Sequence, residues 1–116
     1  MQEEEAWTEI QAVAARLSQP EQKLIIEVWS SATAYAAWRC NWRLASIDDR
    51  ASFDERRSVA HDRFIDAVNA LSRACGRNGL SQDWRAIWGD ARTGEARKRI
   101  GDLACYIAYR ISLEGR

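Results

Sequence analysis

The chain has 116 residues, 47% hydrophobic and 29% charged, with 17 basic and 17 acidic side chains and a formal net charge of zero. That length suits one compact domain, 1–116, and the even charge argues against a dedicated nucleic-acid binder. No apolar run approaches the ~20 residues of a membrane span, and MQEEEAW is acidic where a secretory signal would be basic and then greasy, so a cytoplasmic protein with no membrane association is expected.

One proline, six glycines and little β-branched alternation leave scant material for strands. Apolar residues recur at three and four, which predicts an all-α fold: a compact helical bundle of four main helices plus one short helix. The first helix sets Trp7, Ile10, Val13, Ala14 and Leu17 on one stripe, with Glu3, Glu4 and Glu5 at its electropositive N-terminus, and should stop at Ser18. Ser18-Gln19-Pro20-Glu21 reads as a capping box with proline in the first turn. It opens a long second helix whose face of Leu24, Ile25, Val28, Trp29, Ala32, Tyr35, Ala36 and Trp42 persists to about Ala45. That is about 25 residues or ~38 Å, the scale of a whole small bundle.

After a turn at Asp48-Asp49, Ser52-Phe53-Asp54-Glu55 offers another capping box. The helix it predicts carries Phe53, Ala60, Phe64, Val68, Leu71 and Cys75 inward until Gly76 ends it. Ser81 should cap a short helical piece through Trp88, followed by a loop from Gly89 to Gly94. From Glu95 the stripe Ala96, Ile100, Leu103, Ala104, Ile107 and Ile111 defines the last helix. Tyr106, Tyr109 and Leu113 add apolar surface on its other side, and Gly101 and Ala108 give small surfaces that a further helix can approach. Either the long second helix or a twin chain must cover that surface, and a symmetric homodimer with Arg99 and Arg110 at its rim is expected.

Charge is uneven along the chain: residues 1–30 carry two basic and six acidic side chains, residues 64–116 nine basic and six acidic. Such asymmetry either steers a charged partner or is neutralised when the two ends pack together.

The stretch AWRCNWR, Ala37 to Arg43, places Trp-Arg pairs one helical turn apart, and DWRAIW, Asp83 to Trp88, echoes it. At 100° per residue Arg39 projects about 60° from Leu24 and Arg43 about 100°, inside the apolar arc. Buried guanidinium groups need acids, and Asp62, Asp66 and Asp102 are the candidates, with Trp38 and Trp42 stacked over the charges. The alternative is that the helix runs past the packed core near Ala37 and exposes a Trp-Arg plate, since tryptophan and arginine dominate the energetic centres of protein interfaces. The partner-binding set is then Trp38, Arg39, Trp42, Arg43, Trp84 and Trp88. Single-stranded nucleic acid ranks lower, because the only lysines are Lys23 and Lys98.

Arg92, Arg97, Lys98 and Arg99 surround a helix start, where backbone N–H groups favour anions; they form a second candidate site, for an anion or nucleic acid. His61 is the one histidine, and nothing completes a triad with it by spacing; only Cys40 or Cys105 could approach it from another helix. The three cysteines, Cys40, Cys75 and Cys105, are spaced too widely for a zinc motif and are expected to be reduced, buried and inert. No phosphate-binding glycine loop, paired carboxylates or metal signature is present, so neither a catalytic site, a metal nor a cofactor is expected.

The segments RRSVAHDRFIDAVNALSR and RKRIGDLACYIAYRISLEGR resemble parts of short bacterial helical proteins of uncharacterised function. That resemblance implies a helical fold and lends no functional residues. The expectation is a non-enzymatic interaction module, an adaptor or inhibitor such as a counter-defence protein of a phage or mobile element. The alternative is a nucleic-acid-associated regulator using the basic cluster at the start of the last helix.

Overall fold

The computed structural model describes residues 2–88 and 94–114, with the side chains of Trp88, Glu95 and Arg97 outside that description. Its regular elements are α1 (Glu3–Ala14), α2 (Gln22–Leu44), α3 (Ile47–Arg77) and α4 (Gly94–Glu114), with short 3₁₀ turns at Gln19–Glu21 and Asp83–Trp88. No strand occurs among the described residues, and no described helix is long and apolar enough to cross a membrane.

Helix α1 buries the stripe read from the sequence, Ala6, Trp7, Ile10, Val13 and Ala14. It ends at Ala14, short of Ser18, because the chain tightens there: Arg16 and Leu17 donate to the carbonyls of Val13 and Ala14. The Gln22 amide then donates to the carbonyls of Ala14 (2.8 Å) and Leu17 (2.9 Å), closing off the helix end from the side. Ser18 and Glu21 do bond to each other (2.8 Å), but they frame a 3₁₀ turn, and α2 proper begins at Gln22.

The largest correction concerns α3. It starts at Ile47, with Ser46 as its N-cap accepting from the Asp49 N–H (3.3 Å), so it follows α2 after only Ala45 and Ser46. Ser52 lies inside the helix and donates back to the Asp49 carbonyl (2.7 Å), which leaves it no capping role. At 31 residues α3 runs ~46 Å, nearly the full 48 Å long axis of the molecule. It ends where the sequence suggests a stop. Gly79 takes φ 65°, Leu80 N–H reaches back to the Cys75 carbonyl (2.8 Å) and Gly79 N–H to that of Gly76 (3.3 Å), the paired bonds of a glycine-terminated helix.

Helix α2 packs against both α3 and α4, while α1 and the second 3₁₀ turn cover α4. The core therefore sits at one end. Phe64, Val68 and Leu71 of α3 meet Val28 and Ala32 of α2, Ile10 of α1, and Ile100, Leu103 and Ile107 of α4 in one cluster. Trp84 is driven into that cluster and completely buried. Glu9 of α1 holds its turn in place by accepting from the Trp84 N–H (3.1 Å) and from Ser81.

Burial along the α2–α3 hairpin is not uniform. The last buried residue of α2 is Tyr35 and the first of α3 is Ala60, so everything between them is half-buried or exposed. Within AWRCNWR, Trp38, Arg39 and Trp42 are half-buried and Arg43 is exposed, so the stretch is neither fully packed nor a bare plate.

Candidate functional site

The Trp-Arg residues of α2 leave the helix in different directions. Trp38 packs toward α3, its ring 6.0 Å from that of Phe53, with the Arg56 guanidinium 5.2 Å from its centroid. Trp42 carries two cations from α3, Arg50 at 4.8 Å and Arg57 at 4.4 Å. The arginines over the indoles are thus those of α3; Arg39 and Arg43, expected to stack there, do not. The i, i+7 spacing of Arg50 and Arg57 sets both on the face of α3 that meets α2.

Arg39 turns to α4. Its Nη1 donates to Asp102 Oδ1 (3.1 Å) and to Cys105 Sγ (3.6 Å), and its side chain keeps only 12% of its exposure. Burial alone would weaken its charge, but the bonds to Cys105 and Asp102 more than offset that and hold its pKa above the ordinary arginine value. Of the three acids the sequence offered, Asp102 is the partner. Gly101 makes the approach feasible: a Cβ there would lie 2.7 Å from Arg39 Cζ. The small surface expected to receive another helix is occupied by this guanidinium.

Arg43 is exposed and makes no ion pair among the described residues. Together with Arg39 and Trp42 it lines a recess of about 550 Å³. Arg57 and His61 of α3 and Lys98 of α4 complete its basic wall, and Tyr35 and Asp62 also border it. Lys98 is exposed and likewise forms no ion pair among the described residues. His61 Nδ1 bonds Asp62 Oδ1 (3.1 Å) and its ring meets Tyr35 edge-on at 5.4 Å, while Nε2 is buried without a hydrogen-bond partner. Burial pushes the Tyr35 hydroxyl pKa up, against the opposing pull of Arg39, Arg57 and Arg43.

Structure thus joins Arg39, Trp42 and Arg43 of the first candidate set to Lys98 of the second. Other members fall away. Trp84 is buried in the core and has no surface to offer a partner, because its 3₁₀ turn folds inward under α1 and α4. Arg99 directs Nη1 to the Ile87 carbonyl (3.1 Å). Arg92 and the side chains of Trp88 and Arg97 lie outside the described residues. The cysteines are also less uniform than expected: Cys75 is buried, with its thiol pKa raised by desolvation, but Cys105 is half-buried against Arg39 and Cys40 is exposed. Sequence reasoning missed Arg50, Arg56 and Arg57 as partners of the indoles, although the i, i+7 spacing of Arg50 and Arg57 along one face of α3 carried the signal. Among the described residues no cluster of His, Cys, Asp or Glu is placed to hold a metal ion.

Beyond these side chains the hairpin end bears Leu44 and Ile47, 80% and 84% exposed, on either side of the Ala45-Ser46 connection. No family model, curated protein or solved structure matches the chain.

Proposed function

We propose that the chain is a non-enzymatic helical interaction module that docks another protein, as an adaptor or an inhibitor, through the projecting end of the α2–α3 hairpin. A counter-defence protein of a phage or mobile element is one setting for such a role. The observation that carries this reading is the bare pair Leu44 and Ile47 at the tip, on the same hairpin end as two indoles stacked against arginines. Large apolar side chains left in water beside Trp and Arg have the composition of an interface centre. Trp38, Trp42 and Arg43 border the apolar tip and form the rest of the docking surface.

The test compares proteins captured from the native host by wild type, by Trp38→Ala and Trp42→Ala, by Leu44→Glu/Ile47→Glu, and by the control Ile26→Glu. Ile26 is also exposed but lies near the start of α2, away from the tip. A partner kept by Ile26→Glu and lost by the tip variants is expected; one retained equally by all removes the hairpin end from the interface.

Self-association belongs to the same proposal. Tyr109 and Leu113 of α4 are exposed, whereas Tyr106 packs against the core and accepts from Arg110 (3.2 Å). A homodimer through Tyr109 and Leu113 would cover this face. Sedimentation equilibrium at micromolar concentration checks it: a monomer mass at every loading rejects the dimer.

A further inference from the structure

We propose that the recess between α2, α3 and α4 binds a small phosphate monoester, of about mononucleotide size. This goes beyond the docking role of the hairpin tip and does not depend on it.

Charge is the first argument. Arg39, Arg43, Arg57 and Lys98 converge on one cavity from three helices, against a single lining carboxylate, Asp62. Arg39 is neutralised by Asp102 and Arg57 by Asp54 (2.6 Å). Arg43 and Lys98 form no ion pair among the described residues, and both border the same space. A dianion in the recess supplies these two exposed cations with the counter-charge that no described ion pair gives them. A phosphate monoester carries about that charge near neutral pH and offers several strong acceptor oxygens to a planar guanidinium and a mobile ammonium.

Unsatisfied polar atoms are the second. His61 Nε2 and Arg57 Nε are buried with no hydrogen-bond partner, although both residues line the cavity. Buried polar groups of this kind are normally paired, and a small rotation of either side chain toward the recess would let a bound oxygen pair them. Nδ1 is engaged by the Asp62 carboxylate, which leaves Nε2 as the ring nitrogen without a partner.

Volume and lining decide the size. About 550 Å³ exceeds what an inorganic phosphate fills and falls within the usual range for small-molecule sites. Tyr35 and Trp42 give part of the wall an aromatic character suited to the organic half of the ligand. A polynucleotide would need a longer basic track than these residues provide.

The experiment is calorimetric titration of the full chain at low salt with adenosine monophosphate, adenosine, inorganic phosphate and a single-stranded oligonucleotide. It is repeated on Arg43→Gln/Lys98→Gln, two exposed positions whose change should leave the circular dichroism spectrum intact. Expected is saturable binding of the monophosphate, weaker binding of phosphate and none of adenosine, with affinity lowered at least about tenfold in the double variant. The proposal is overturned by no binding of the monophosphate at millimolar concentration, by equal affinity in the double variant, by phosphate binding as tightly as the monophosphate, or by an oligonucleotide binding more tightly than either. Leu44→Glu/Ile47→Glu should bind the monophosphate as wild type does, whether or not the tip docks a protein, so the two proposals fail separately.

Discussion

Phe64 and Trp42 are aromatic residues of the same helical hairpin, held by different physics. Phe64 is fully buried, 6.3 Å from the Tyr35 ring and inside the cluster of Val68, Leu71 and Val28. Trp42 has no such surroundings and is held by the guanidinium groups of Arg50 and Arg57. At the core end order comes from removing apolar surface from water. At the hairpin end it comes from cations on indoles, a serine cap, and the Arg39–Asp102 tie to α4. The difference teaches that a helix can be regular over its whole length while only half of it contributes strongly to folding.

Substitutions can test how deep that difference runs. Phe64→Ala should cost about 3–5 kcal/mol of unfolding free energy in urea titration, since it opens a cavity in a fully packed site. A loss below about 1 kcal/mol would mean that the core end is not the stabilising one. Gly101→Ala should cost about 1–2 kcal/mol in wild type, because its Cβ collides with Arg39. In an Arg39→Ala background the same change should stabilise by about 0.5–1 kcal/mol, the ordinary helical preference for alanine over glycine. A thermal double-mutant cycle measures this sign reversal, and an unchanged sign would show that Arg39 does not occupy the space beside Gly101.

Trp42→Ala should lower stability by about 1–2 kcal/mol, less than Phe64→Ala, since two half-buried cation–π contacts contribute only that order. A Trp42 effect as large as that of Phe64 would abolish the contrast between the two ends. The smallest effect belongs to Glu27 and Arg63, which join α2 to α3 by a bond of 2.7 Å on the surface. The hydrogen bond from Arg63 holds the Glu27 carboxyl below its ordinary 4.5, so its stabilisation is present above that value and fades as pH falls through the lowered one. Glu27→Gln should thus differ from wild type by a few tenths of a kcal/mol at neutral pH, and by nothing in strong acid. Denaturation midpoints across that range report it.

Much of the fold was legible because an apolar stripe at helical spacing is a local signal: Ile10, Val28, Phe64 and Leu103 were all placed on inward faces and all are buried. The start of α3 was misread because Ser46 and Ser52 are both followed by an acid three residues on. Only the chain's return along α2 selects Ser46, and that is a tertiary fact. Trp84 was grouped with Trp38 and Trp42 because a Trp-Arg phrase looks the same in a core-directed turn as on a projecting helix. The basic recess could not have been read as a whole: the i, i+4 spacing of Arg57 and His61 sets those two on one face of α3, but nothing in the sequence brings Arg43 and Lys98 of other helices to them.

The length of α3 has a consequence for how the molecule opens. A continuous backbone ladder runs from Ile47 to Arg77, yet the first buried side chain is Ala60. Breaking the turns before Ala60 exposes little apolar surface, whereas breaking those after it dismantles the core. Amide protons of one helix are therefore expected to fall into two cooperative units, one opening locally and the other only with global unfolding. The hairpin end should exchange its amide protons well before the core end of the same helix does.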